Sequence, residues 1–244
     1  MKVVFAGPSL HRDLPFLRRQ QDGIFWHGPA RCGDVTRAVD RGATAIGLID
    51  GLFDQTAAPW HKEILYALSR RVAVAGGASM GALRAAECRA FGMVGIGAVF
   101  QDYASGVRRD DADVAQLHAP AELNYLPLTE PLVNVEPSLQ QLVERGGVAS
   151  QVGAALLATA RGLHYTERTY AEIVRRCTGL APARAAGIDA WLTANAVDRK
   201  RSDALAVLEW LRLQPAAQPP CAPVWRFEAT THWLHLRHAL ADGN

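Results

Sequence analysis

The chain has 244 residues, 49% hydrophobic and 20% charged, enough to bury one sizeable core or two small ones. Its 26 Lys and Arg against 24 Asp and Glu leave a net charge of +2, which excludes a general electrostatic pull toward nucleic acid or an acidic membrane. No apolar stretch reaches the ~18 residues of a membrane span.

A strand signal begins at once in Met1-Lys2-Val3-Val4-Phe5 with no leader before it, so a cytoplasmic protein is expected. Cys32, Cys88, Cys177 and Cys221 are far apart and form no Cys-x-x-Cys pair, which reads as reduced thiols rather than a zinc knuckle or redox dithiol. Neither a metal nor a cofactor is expected.

In chain order, short β-branched runs end in Gly or Pro and lead into segments of helical spacing. Residues 2–6 break at Gly7-Pro8, 24–26 at Gly28-Pro29, 45–49 at Asp50-Gly51 and 72–75 at Gly76-Gly77. Residues 34–40, 58–68 and 80–91 carry the helical signals between and after them. Four strands alternating with helices predict an α/β fold, a small parallel sheet with flanking helices, Rossmann-like or flavodoxin-like, whose Gly-rich breaks share one edge.

After Gly92 the pattern changes. Gly92, Gly95 and Gly97 loosen the chain, and an acidic run at Asp110-Asp111-Ala112-Asp113 leads into a Pro-dotted segment up to Pro137, read as connector or lid with no further βα unit. From Ser138 the apolar spacing is helical, predicting a mainly helical C-terminal region. The expected division is 1–135 as α/β core, 136–214 as helices, and 215–244 as a Pro-rich linker with an aromatic tail. The helices and tail, carrying Trp191, Trp210, Trp225 and Trp233, are expected to contact a partner.

The sharpest chemical signal is Gly77-Ala78-Ser79-Met80-Gly81, a G-x-S-x-G between a strand and a helix, where a nucleophile elbow belongs. Ser79 would then project at the sheet edge, with the Met80 amide facing an oxyanion. Alternatively, Ser79 N-caps the helix. His61 and Lys62, opening the preceding helix, and Asp50 and Asp54 fall on the same edge. His118 lies in the connector. Any of these is a candidate base or orienting group.

Arg84 forms an i, i+3 ion pair with Glu87 or clamps a carboxylate terminus. Gly7-Pro8-Ser9 forms a tight loop whose amides suit an oxyanion or anion, without the spacing of a nucleotide fingerprint. His232, His235 and His238 sit three apart over ~120° of a helix face, with no carboxylate or cysteine in register to make a metal site.

Together these segments resemble the TfuA-like family. The resemblance covers about residues 1–135 and rests on Gly7-Pro8-Ser9-Leu10, Gly47-Leu48-Ile49-Asp50-Gly51, His61-Lys62-Glu63-Ile64-Leu65 and above all Ala78-Ser79-Met80-Gly81-Ala82-Leu83-Arg84-Ala85-Ala86-Glu87. Phe91-Gly92-Met93-Val94-Gly95, Asp110-Asp111-Ala112-Asp113-Val114-Ala115, His118-Ala119-Pro120 and Pro131-Leu132-Val133-Asn134 extend it. Ala112 stands where the family often has an acidic residue, and the loop from Gly28 to Asp34 is a shortened Pro-rich one.

The resemblance implies an accessory partner of a YcaO enzyme, which activates a peptide amide with ATP and installs sulfur as a thioamide. It further implies a serine-dependent hydrolase that frees sulfide from a ubiquitin-like sulfur carrier protein with a thiocarboxylate C-terminus. The site would be Ser79, His61, Lys62, Asp50 and His118 for catalysis, with Gly7, Ser9, Met80, Gly81 and Arg84 for oxyanion or substrate binding. A precursor peptide is a third partner. The competing expectations are a non-catalytic scaffold that docks YcaO, and an esterase-like hydrolase, which would need an acid and a histidine on later strands.

Overall fold

The β-branched runs become four parallel strands, β1 (Lys2–Phe5), β2 (Ile24–His27), β3 (Ala45–Leu48) and β4 (Ala73–Gly77). A fifth, β5 (Val94–Ile96), pairs parallel with β4, giving the order β2-β1-β3-β4-β5. That is the flavodoxin-like order, with its reversal between β1 and β3. The computed structural model describes residues 1–20, 22–53, 56–215 and 223–241. These fall into two compact units, Met1–Arg109 with Arg201–Asn244, and Asp110–Lys200.

In the N-terminal part of the first unit the helices are α1 (Leu14–Leu17), α2 (Asp34–Asp40), α3 (His61–Ser69), α4 (Met80–Cys88) and α5 (Ala98–Ala104). Strand alternation sorts the core. Val3, Phe5, Ile46, Leu48 and Val74 pack with Val35 and Ala38 of α2, Ile64 and Ala67 of α3 and Ala85 of α4.

The second unit is helical, with α6 (Leu132–Glu144), α7 (Ser150–Gly162), α8 (Tyr170–Arg176) and α9 (Pro182–Asn195) around Leu139, Leu142, Leu156, Ile173 and Leu192. Thr169 caps α8 by accepting the Glu172 amide at 3.1 Å. Two last helices follow, α10 (Arg199–Leu213) and α11 (Thr231–Ala241). No helix among the described residues is long and apolar enough to cross a membrane.

Three expectations are corrected. Residues 94–104 are a βα unit, not loose connector. Gly95 and Gly97 masked it, yet each is required by a close approach: a Cβ on Gly95 would lie 2.1 Å from the Phe100 ring, and one on Gly97 2.0 Å from Asp203.

Second, α10, expected within a helical region separate from the α/β core, covers the other face of the sheet. Val207 lies 3.3 Å from a Cβ placed on Gly47 and 2.8 Å from one on Gly77. Asp203 caps α5 by accepting the Ala98 and Val99 amides at 3.0 and 2.8 Å.

Third, the tail packs on its own unit. Trp233 is 4% exposed, 4.9 Å from the Tyr66 ring, and Trp225 donates Nε1–H to the Phe91 carbonyl at 3.0 Å. Trp233 is thus buried and Trp225 half-buried against the chain's own residues, which accounts for part of the aromatic content there. The expected linker falls largely on residues 216–222, outside the described residues.

Candidate functional site

The registers Phe5↔Leu48 and Leu48↔Gly76 bring the breaks after β1, β3 and β4 out side by side at the carboxyl edge of the sheet. The loop after β2 joins them, because Ala30 donates to the Asp50 carbonyl at 2.9 Å. Gly7, Asp50 and Ser79 therefore share an edge. Their side chains and amides are used very differently.

Asp50 is 1% exposed, and its carboxylate accepts the Gly7 amide at 2.8 Å, the Ser9 amide at 3.1 Å and the Ser9 hydroxyl at 2.6 Å. A buried carboxylate needs such donors. The Gly7 and Ser9 amides, expected to serve an oxyanion, are thereby spent on Asp50, and Ser9 is spent with them.

At the β4 edge the backbone is crowded. A Cβ on Gly81 would sit 1.8 Å from the Leu48 carbonyl oxygen, and one on Gly76 2.2 Å from the Gly81 carbonyl oxygen, so only glycine lets α4 start this close to β3 and β4. Between them Ala78 has φ +66° and is 0% exposed, and the Ser79 amide donates to the Gly77 carbonyl at 2.8 Å. An i to i+2 bond around a positive φ is a γ-turn of the rare, strained form. The strained apex is thus one residue before the serine at the centre of G-x-S-x-G.

Ser79 follows at φ −130°, ψ −123°, 4% exposed, and its side chain makes no capping hydrogen bond to α4. Helix capping therefore does not account for it. Among the described residues neither Ser79 Oγ nor the Met80 N–H has a hydrogen-bond partner. The Gly81 amide is committed to the Ile49 carbonyl at 3.1 Å and so is closed to an oxyanion.

His61 is bonded away from this pair. His61 Nε2 bonds Glu87 Oε2 at 2.7 Å, and Arg84 holds Glu87 Oε2 at 2.8 Å while its Nε donates to the Pro59 carbonyl at 2.8 Å. Glu87 is eight residues beyond Ser79, roughly 12 Å along the helix axis, and His61 is drawn toward that end. Burial would raise the Glu87 pKa, but His61 and Arg84 outweigh it and leave it lowered.

Lys62 Nζ sits 5.0 Å over the Phe227 ring. His118 belongs to the second unit, with Nδ1 2.8 Å from the Ala119 carbonyl. Asp54 lies outside the described residues.

Sequence reasoning gave no role to Glu63, 0% exposed, which accepts from the Trp60, Gly33 and Thr36 amides and the Thr36 hydroxyl at 3.0, 2.9, 3.2 and 3.1 Å. It ties the first turn of α3 to that of α2, and its place at the third helical position was the available signal. Burial raises its pKa against those donors. Burial, then Glu63, also pushes the Cys32 thiol up to about 11.

Open depressions of about 500 Å³, beside Arg37, Arg41 and Arg237, and about 390 Å³, beside Arg70 and Arg71, lie at the far ends of α2 and α3. Arginines there complement helix C-termini.

The sequence model of a family described as TfuA-like protein matches residues 50–169, from Asp50 through the Ser79 turn to Thr169. No curated protein matches the chain.

Proposed function

We propose that this chain, whose residues 50–169 belong to the TfuA-like family, is the accessory partner of a YcaO enzyme in peptide backbone thioamidation and releases sulfide from a thiocarboxylated ubiquitin-like carrier at Ser79. The observation that carries the catalytic part is the uncommitted pair at the start of α4, a buried Ser79 hydroxyl beside a free Met80 N–H. Ser79 Oγ attacks the thiocarboxylate carbonyl carbon, its proton leaves with the sulfur, the C–S bond breaks to release hydrosulfide, and an ester remains. Met80 N–H and the positive end of α4 hold the oxyanion. Water then cleaves the ester to a carboxylate and restores Ser79.

Hydrosulfide departs far more readily than an amine, so the reaction does not require a base as close as that of a peptidase. The test is incubation of the protein with thiocarboxylated carrier in the absence of YcaO. Sulfide release by the native chain and none by Ser79→Ala supports the reading, and no release by either ends it.

A second reading has its own support. Among the described residues, His61 is held by Glu87 and the Gly7 and Ser9 amides by Asp50, so these three expected groups are not free to act with Ser79. On that reading the chain docks YcaO, with or without its precursor peptide, and raises its turnover without cleaving the carrier.

A further inference from the structure

We infer that Ala78 is a positioning residue for Ser79: the strained turn centred on it keeps the serine hydroxyl from capping α4 and leaves it open for reaction. The inference rests on the nucleophile reading above and adds what sets the geometry of that nucleophile.

The glycines around this turn are each demanded by space. Gly76 and Gly81 admit no Cβ without backbone collision. Position 78 is the reverse. Its φ of +66° is the conformation glycine adopts at no steric cost, yet the residue is alanine, with its methyl fully buried. A non-glycine residue stays in this region only where its surroundings over-determine it. Here they do: the Ser79 amide is bound to Gly77 on one side, and the Gly81 amide is bound to Ile49 on the other.

The consequence appears one residue later. A capping serine takes a β-region backbone so that its oxygen reaches the second or third amide of the helix. Ser79, at ψ −123°, does not have that backbone. The Ala82 amide, which a cap would take, bonds the Ser79 carbonyl at 2.8 Å instead. Glycine at 78 would widen the accessible conformations, letting Ser79 sample the capping state.

The experiment compares native protein with Ala78→Gly by amide hydrogen exchange at Ser79, whose N–H forms the turn's own bond, and by steady-state sulfide release from thiocarboxylated carrier. Exchange at Ser79 should quicken at least about tenfold, and kcat should fall roughly ten- to hundredfold at unchanged KM, because a small misplacement of a reacting group is costly in rate. Glycine accepts this φ without clash, so the variant folds, and its wider choice of backbone states is what loosens the turn. Unchanged kcat overturns the inference whatever exchange shows. If the native protein releases no sulfide, the hydrolase reading fails on its own, and unchanged exchange at Ser79 then overturns the positioning role while quickened exchange upholds it.

Discussion

Two loops on one sheet edge begin with the same pattern, Gly7-Pro8-Ser9 after β1 and Gly77-Ala78-Ser79 after β4, and they spend their polar groups in opposite ways. After β1, Asp50 fills the place at the β1/β3 reversal where such folds receive a ligand, taking two amides and a hydroxyl. After β4 the turn is strained, and among the described residues a serine hydroxyl and an amide stay uncommitted. The lesson is that a Gly-x-Ser loop carries chemistry only when nothing in the fold satisfies it. The buried carboxylate at Asp50 makes one loop structural and leaves the groups of the other unspent.

The largest expected effect is on Ser79. Ser79→Ala should lower sulfide release by about a thousandfold or more, since nucleophile loss removes most of the rate, while melting stays within a few degrees because no capping bond is lost. Ser9→Ala should do the reverse, costing about 1–2 kcal/mol by leaving Asp50 short of a donor with turnover per folded molecule unchanged. Sulfide release and thermal melting on both variants read the contrast. A silent Ser9→Ala alongside an active Ser79→Ala would invert it.

Next in size is Asp50→Asn. The amide group keeps one acceptor and turns a donor toward N–H groups that already donate, a cost of about 3 kcal/mol for a fully buried site. The melting transition should fall by roughly 6–12 °C. If Asp50→Asn melts like the native protein, the loop after β1 is not held by Asp50, and its amides return as oxyanion candidates.

A smaller effect follows from Glu63. Its folded pKa is raised above the usual value near 4.5, burial outweighing the four donors. Stability contributed by its protonated form is therefore fully present below about that value and lost as pH rises through the raised one. Relative to the native protein, Glu63→Gln should flatten the dependence of melting on pH in that window. A difference between the two that is the same at pH 4 and pH 7 would show that Glu63 does not titrate there.

Much of this frame was legible in sequence because β-branched runs that stop at glycine are a local signal. Four strands, their shared edge and the helices from Ser138 onward follow from such runs and spacings, whereas the first turns of α6, read as connector up to Pro137, do not. β5 was not legible, because Val94-Gly95-Ile96 is short and its glycine is demanded by Phe100, a contact no local pattern reveals. The helix α10 was legible in its apolar spacing, but its place on the sheet was not, since Val207 fills the space over Gly47 and Gly77. Ser79 was found by its motif. Its freedom was not, since that depends on the φ of Ala78 and on which amides other residues take.

The smallest effect, and the one that most sharpens the comparison, concerns Glu87. With its side chain 40% exposed, the cluster it forms with His61 and Arg84 is partly solvated, so Glu87→Gln should cost less than about 1 kcal/mol, and less still at high salt. The sign with pH is opposite to that of Glu63. A carboxylate with a lowered folded pKa contributes stability above its usual value near 4.5 and loses it as pH falls through the lowered one. Melting of native protein and variant should therefore converge in acid and separate slightly above pH 5. Turnover is the more telling measurement. Because Glu87 holds His61 about two helical turns from Ser79, Glu87→Gln and His61→Ala should each change sulfide release by less than about tenfold. A larger loss in both would place His61 in the chemistry through a rotamer other than the one bonded to Glu87 or through a relay, and the open edge would then extend from the Ser79 turn to the first turn of α3.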